Sequence, residues 1–415
     1  MLRRSRTKIY AGSAGLLGPA FVAAIAYVDP GNVAANITAG AKYGYLLVWV
    51  LVIANAMAVM VQYQSAKIGV VTGSTFPQLL GRRLSRRSRL LFWGQAELVA
   101  GATDIAEVIG GAIALNLLFG LPLPLGGLIV GAVSMILLVT ADRRRQRQFE
   151  TVIVALLAVI VIGFLAGLAV SPPDAGGVMS GLVPRLAGTE TVLLAASMLG
   201  ATVMPHAIYL HSSLVVDRHG DAGSHAGGER RTRRLLAATR WDVVIALVVA
   251  GTVNIALLVL AAANLPGRDG TDTIEGAHAA VRDALGPVVA VAFAVGLLAS
   301  GIASTSVGSY AGGAIMEGLL TKRYPMIVRR AVTLVPAIIV LAVGVDPTMA
   351  LIISQVVLSF GIPFAVIPLR RYTADSAVMG RFADGRPLQW ASAAAAVAIV
   401  VLNVVLIALT FAGHQ

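Results

Sequence analysis

The chain has 415 residues, 57% of them hydrophobic and 13% charged, with a net charge of +12 and a mean hydropathy of +0.84. Soluble domains carry about 25% charged residues, so a water-soluble fold is excluded: its apolar surface would have nowhere to go. The chain has no cysteine, which also excludes disulfide frameworks, thiolate metal sites and thiol nucleophiles.

Apolar stretches near the ~20 residues that cross about 30 Å of hydrocarbon predict eleven membrane helices: 13–38, 45–70, 90–119, 123–140, 151–170, 190–216, 242–263, 287–317, 331–345, 349–369 and 390–412. The expected fold class is an all-α polytopic membrane protein, a single transmembrane domain over 1–415. The first stretch has the basic start and Ala-rich positions of a signal peptide. Removing it would delete the motif Asp29-Pro30-Gly31-Asn32 and upset the alternation of charge described next, so it is read as a retained span. The 44 glycines fit close helix approach, and Gly308-Ser309-Tyr310-Ala311-Gly312 is read as one such packing stripe.

Basic residues set the orientation. One set of span ends carries Arg3, Arg4, Arg6 and Lys8, then Lys67, Arg82–Arg89, Arg143–Arg147, Arg218–Arg240, Lys322–Arg330 and Arg370–Arg386. The other carries only Lys42, Arg185, Arg268 and Arg282. Of 32 Lys and Arg, 28 therefore lie on one side. This predicts a multi-pass inner-membrane protein with a cytoplasmic N-terminus and an extracytoplasmic C-terminus. The basic clusters face anionic lipid headgroups, and nucleic acid is excluded as a partner.

Span 1 holds Asp29-Pro30-Gly31-Asn32, and span 6 holds Gly200-Ala201-Thr202-Val203-Met204-Pro205-His206. Pro30 and Pro205 each remove a backbone donor, and Gly31 adds backbone freedom, so both helices should break in mid-membrane. Such breaks are tolerated only where they line a protein-enclosed or watery cavity. Spans 1 and 6 open two five-span halves, over 11–171 and 189–370, followed by an extra helix over 389–412. An odd number of spans per half gives the halves opposite topology. Interrupted helices at matching positions of inverted repeats point to a transporter site at the midplane.

Asp29 offers a hard anionic oxygen, Asn32 a neutral one and Met204 a soft thioether, and the break at Ala201 can expose a carbonyl. Oxygen alone would suit magnesium or calcium, whereas sulfur shifts preference toward softer transition metals. The two motifs, with Asp104-Ile105-Ala106-Glu107 in span 3 and Ser354-Gln355-Val356-Val357-Leu358-Ser359-Phe360 in span 10, resemble the Nramp family of proton-coupled divalent metal transporters, nearest its bacterial manganese-importing branch. The resemblance implies a LeuT-type fold with discontinuous helices 1 and 6. It implies metal ligation by Asp29, Asn32, Met204 and the Ala201 carbonyl, with Gln355 joining in a later state of the cycle. The cargo implied is Mn2+, Fe2+, Co2+ or Cd2+ with protons, and neither a prosthetic group nor an obligate protein partner is expected. Where the family often has polar residues in span 8, this chain reads Gly301-Ile302-Ala303.

Each ionisable group at mid-helix costs roughly 2.5–3.5 kcal/mol. Span 3 carries Glu97, Asp104 and Glu107, which share one helix stripe through i,i+3 and two-turn spacing. They are expected to form a proton track from Asp29 toward the cytoplasm through Glu107, Asp104 and Glu97. His206 and His211 are candidate relays, with a plain hydrogen-bonded role as the alternative for His211. Arg329 and Arg330 are candidate partners of the track, or else topology charges. Residues 217–240, with His219 and His225, read as a cytoplasmic loop. Residues 264–286, with Asp269, Asp272, Glu275 and Asp283, read as an external one. The rival functions are an ion-coupled carrier of Mg2+ or of an organic solute on the same fold, a channel, and an intramembrane metalloenzyme. The enzyme reading lacks a His-Glu-x-x-His cluster, since His206 and His211 are spaced i,i+5.

Overall fold

The computed structural model describes residues 18–139, 146–219, 228–268, 270–271, 273–320 and 325–411, and the regular elements among them are helical. Arg3, Arg4, Arg6, Lys8, Arg143, Arg144, Arg145, Lys322, Arg323, His225, Asp269 and Asp272 lie outside the described residues. In chain order the helices are α1 (Pro19–Ala24), α2 (Pro30–Tyr43), α3 (Val48–Thr72), α4 (Phe76–Arg83), α5 (Arg86–Phe119), α6 (Leu123–Val139), α7 (Gln146–Val170), α8 (Ala175–Gly181) and α9 (Thr189–Thr202). They continue with α10 (Pro205–His219), α11 (Gly228–Asn264), α12 (Ile274–Leu285), α13 (Pro287–Leu320), α14 (Met326–Val343), α15 (Pro347–Ala374), α16 (Ser376–Met379) and α17 (Arg386–Phe411). Among the described residues, seven helical stretches are long and apolar enough to cross a membrane. Pro19–Val28 and Leu123–Leu138 are shorter apolar helices.

Within the described residues the predicted apolar stretches lie on helices, and two expected loops are corrected. The expected loop 217–240 is helical from Gly228 onward, because α11 runs 37 residues and carries its Arg-rich first turns past the apolar stretch. The expected external loop 264–286 folds into α12, capped by Thr273, whose hydroxyl accepts from Gly276 N at 3.0 Å. Burial holds the Glu275 carboxyl in this helix above its usual range, and Asp346 nearby pushes the same way. Hydropathy windows miss such segments because they register apolar length and not backbone hydrogen bonding.

The bundle is apolar on its flanks as well as in its core, and a set of polar groups is buried within it. Leu91, Leu98, Ile136, Ile162, Val288 and Val332 are exposed on its flanks, while Asp29, Asn32, Asp104, Glu107, His211 and Arg330 are buried. Lipid accepts the apolar flanks and offers no partner to a polar group, so polar groups are sequestered among helices beside the apolar core. Close approach makes this possible. A Cβ on Gly301 of α13 would lie 2.8 Å from the Gly111 amide nitrogen of α5, so the two backbones are nearly in contact.

Two polar clamps hold helix ends. Asp242 of α11 accepts from Gly18 N at 3.1 Å and Ala20 N at 3.0 Å, satisfying first-turn amides of α1. Asp384, just before α17, accepts from Lys67 Nζ at 2.6 Å and Gln64 Nε2 at 2.8 Å, both on α3. The Lys67–Asp384 pair is buried, and losing one partner of such a pair costs about 3–5 kcal/mol because the other charge stays buried. Lys67→Met is therefore expected to lower the thermal unfolding temperature of the detergent-solubilised protein. Adding Asp384→Asn, which removes the orphaned charge, should recover most of the loss.

Candidate functional site

The first break falls at Asp29, an extended residue (φ −72°, ψ 165°) between a 3-10 turn at Ile25–Val28 and α2. Its carboxylate caps the helix it precedes: Oδ1 accepts from Asn32 N at 3.0 Å and also from the Asn32 side-chain amide. Pro30 takes the first helical position, where no amide is needed. Carbonyls released by the break are met by side chains of neighbouring helices. Asn254 of α11 donates to Tyr27 O at 2.7 Å, and Ser300 of α13 donates to Val28 O.

The second break follows from one missing donor. The carbonyl of Ala201 would accept from residue 205 in a continuous helix, and residue 205 is proline, so α9 stops at Thr202 and α10 restarts at Pro205. The Asn32 side-chain amide donates to the freed Ala201 carbonyl at 3.1 Å. One amide thus bridges Asp29 and Ala201 and joins the two breaks. Asp29 Oδ2 and Asn32 Oδ1 are buried without a hydrogen-bond partner. Met204 lies in the same break, fully buried. Gln355 of α15 closes the other side. A Cβ on Gly31 would fall 2.0 Å from Gln355 Nε2 and 3.1 Å from Asp29 Oδ2, so the glycine leaves room for Gln355 beside the Asp29 carboxylate.

The donor set fits a cation. The positively polarised Asn32 amide sits between two oxygens that a metal ion would satisfy better, and turning that amide over presents Oδ1 to the same centre. No cluster of three or more His, Cys, Asp or Glu suited to a metal exists among the described residues. The set instead has one carboxylate with an amide, a carbonyl and a thioether.

The acids of α5 are arranged along the predicted stripe, and both arginines of α14 reach them. Arg329 Nη2 pairs with Glu97 at 2.7 Å and its Nη1 donates to Ser309 O at 3.2 Å. Arg330 pairs with Asp104 and donates to Ser134 Oγ at 3.0 Å, while Thr305 Oγ1 donates to Asp104 at 2.6 Å. Of the two readings open for these arginines, the contacts fit partners of the acids. Glu107 is fully buried, and neither carboxylate oxygen has a partner within hydrogen-bond distance. The Ser304 hydroxyl is beside it, and the charges of Asp29 and Asp104 are within electrostatic reach. The stripe Gly308–Gly312 also does more than pack helices. A Cβ on Gly308 would lie 3.1 Å from Glu107 Oε2, and one on Gly312 would overlap the Arg329 guanidinium. These two glycines make room for the track.

His211 Nδ1 shares a hydrogen bond of 2.8 Å with Gln62 Oε1, and Gln62 Nε2 donates to Tyr27 OH at 2.7 Å. His206, in the first turn of α10, is buried with neither ring nitrogen partnered. Sequence reasoning missed Tyr27, Gln62, Asn36 and Asn254, although Asn36 donates to Asn254 at 2.9 Å in the same polar layer. The signal was present in the polar run Gln62-Tyr63-Gln64-Ser65 within an apolar span, which requires internal partners.

The family model described as natural resistance-associated macrophage protein-like (Nramp) matches residues 20–409. The chain is 59% identical over 398 residues to the divalent metal cation transporter MntH of Mycobacterium tuberculosis, covering 96% of this chain and 92% of that one. A crystal structure of the Eremococcus coleocola manganese transporter superposes with a TM-score of 0.87 at 32% identity, covering 95% and 86% of the two chains. MHP1, a nucleobase-cation-symport-1 family transporter, superposes at 0.59 with 16% identity over 95% of this chain and 91% of that one, which shows the shared LeuT-type fold alone. A match across nearly the whole chain, on a scaffold with two interrupted helices that meet through Asn32, makes this protein a member of the Nramp family.

Proposed function

We propose that the chain imports divalent transition-metal ions, Mn2+ foremost, by alternating access with protons. The observation that carries this is the bridge from Asp29 through Asn32 to the Ala201 carbonyl, with Met204 in the same break and Gln355 beside Asp29. Asp29, Asn32, Met204 and the Ala201 carbonyl hold the ion, and Gln355 completes the set as α15 closes on it. The thioether selects against Mg2+ and Ca2+, which gain little from sulfur. The names of the similar proteins, a divalent metal cation transporter and a manganese transporter, support the same cargo.

Eleven spans in two inverted halves, 11–171 and 189–370, with 389–412 as an added helix, account best for the two breaks. The clustering of 28 of 32 Lys and Arg at one end supports an inner-membrane protein with that end in the cytoplasm. At this end Arg218 pairs with Glu150, Tyr310 donates to Asp217 at 2.6 Å, and Asp242 holds α1. Opening toward the cytoplasm must separate these contacts. Protons displaced near Asp29 leave through Glu107, Asp104 and Glu97, with Arg330 and Arg329 fixing the second and third carboxylates. His206 and the Tyr27–Gln62–His211 chain lie along α10 as a second polar line.

The test is uptake of Mn2+ by protein-containing liposomes at acidic and neutral external pH, with a lumenal pH dye and with excess Mg2+ or Ca2+ as competitor. Uptake that resists the competitors and acidifies the lumen only when metal is present is expected. Failure of well-folded protein to take up Mn2+ overturns the reading. Asp29→Asn should lower uptake at least tenfold, more than about 1.4 kcal/mol, since it removes the sole carboxylate of the set. Met204→Ala should retain Mn2+ transport but lose roughly tenfold in discrimination against Ca2+. Unchanged selectivity would remove sulfur from the filter. Glu107→Gln keeps the shape of the track and removes its exchangeable proton. It should uncouple lumenal acidification from metal uptake, and metal-linked acidification equal to wild type would sink this route.

A further inference from the structure

A cleft of about 360 Å3 opens on the flank of the bundle, away from the metal site. Ala56, Val59, Met60 and Tyr63 of α3 form one wall, Arg240 and Val244 of α11 a second, and Leu388 at the start of α17 a third. The α3 residues follow i, i+3, i+4, i+7 spacing and so share one helix face. Seven residues of rise make that wall about 10 Å long, within the ~15 Å of a single leaflet's hydrocarbon. Its surface is apolar except at one end, where the Tyr63 phenol lies within electrostatic reach of Asp384, whose charge Lys67 balances, and of Arg240.

Depth and charge both select an occupant. The Arg240 end is the basic end of the bundle, where α11 has just passed its Arg230–Arg234 turns and α17 begins. Trp241, next in sequence to Arg240, and Trp390, two residues after Leu388, are exposed, as indoles are at the headgroup level. At this end Arg83 pairs with Asp375, Arg218 with Glu150, and Arg233 and Arg381 with Glu229, while Arg86, Arg87 and Arg234 are without an ion pair among the described residues, as Arg240 is; of these arginines Arg240 lines the cleft. Arg240 has no ion-pair partner among the described residues and is exposed at the mouth. A guanidinium over an apolar slot one leaflet deep matches a phosphate with an acyl chain below it, and basic pockets between membrane helices hold anionic headgroups in this way.

We propose that this cleft binds one anionic phospholipid, with its phosphate on Arg240 and an acyl chain along the Ala56–Tyr63 face of α3. The orientation proposed above places it in the cytoplasmic leaflet, and only that placement rests on the earlier reading. The lipid touches α3 and α11, which pack beside the interrupted helices, and also α17. It therefore fills the seam between the terminal helix and two helices that support the site.

Native mass spectrometry of the full-length protein in detergent tests this, with phosphatidylglycerol and phosphatidylcholine of matched chains as probes. One phosphatidylglycerol is expected to bind roughly tenfold more tightly than phosphatidylcholine. Arg240→Gln, at an exposed position without a protein partner, should reduce phosphatidylglycerol to the phosphatidylcholine level while leaving Mn2+ uptake intact. Ala56→Trp, which fills the slot from the α3 side, should weaken both lipids. Equal affinity for the two lipids on the wild type, or undiminished phosphatidylglycerol binding to Arg240→Gln, overturns the proposal. Unaltered binding to Ala56→Trp overturns it as well, because the headgroup would then sit on the surface without the slot. The measurement needs no transport, so a lipid-binding protein that fails to carry Mn2+ would count against the transport function and not against this site.

Discussion

A peptide group without a hydrogen bond inside a membrane costs several kcal/mol, and this chain interrupts two helices where no water is guaranteed. Much else in the structure answers that constraint. Asp29 turns its own carboxylate back to cap α2, and Asn254 and Ser300 reach in for the carbonyls of Tyr27 and Val28. Asn32 spans the gap to Ala201. The residues that repair the backbone are largely those that would hold an ion. A polar centre in hydrocarbon is stable only when nearly satisfied, and it binds a cation only when the satisfaction is incomplete. Asp29 Oδ2 and Asn32 Oδ1, buried and unpartnered, are where that incompleteness lies.

The same tension recurs along α5. Two of its carboxylates are each fixed by an arginine from the facing helix α14, and a third is left open nearer the break. Buried ion pairs return little net stability but are strongly destabilising when halved. They therefore hold α5 and α14 in one register more than they strengthen the fold. Small residues of α13 decide how closely this arrangement can pack. Gly301 lets the backbones meet, and Gly308 and Gly312 leave space where the acid and the guanidinium must fit.

The sequence was legible where cost is local. A proline four residues after Ala201, or an aspartate before Pro30, announces a broken helix whatever surrounds it, and runs near twenty apolar residues announce the helices. The pairing of Arg329 with Glu97 and Arg330 with Asp104 was legible only as one of two readings. Positive charge at a cytoplasmic helix end has a sufficient explanation in topology, and only the approach of α14 to α5 distinguishes the two. The role of Gly308 and Gly312 was hidden for the same reason: a glycine says that something comes close, and the fold says what. The helical start of α11 and the whole of α12 were misread as loops because hydropathy reports burial in lipid and is silent on backbone bonding outside it. Gln62 and Asn254 were overlooked because neutral amides raise no alarm in a charge count, although their demand for partners in hydrocarbon is nearly as strict.

The pairings on α5 also fix an electrical balance. With Glu97 and Asp104 each facing an arginine, Asp29 and Glu107 are the members of this line with no ion-pair partner among the described residues. When both are ionised, their combined charge cancels that of one divalent cation. A loaded carrier would move a neutral core, on which the membrane potential does almost no work. An empty one that has released its protons inside, as import with protons requires, would return with up to two bare negative charges, each worth about 2.3 kcal/mol per 100 mV. The membrane voltage would then act chiefly on the journey made without cargo, and would hurry the empty site outward in a cell that is negative inside.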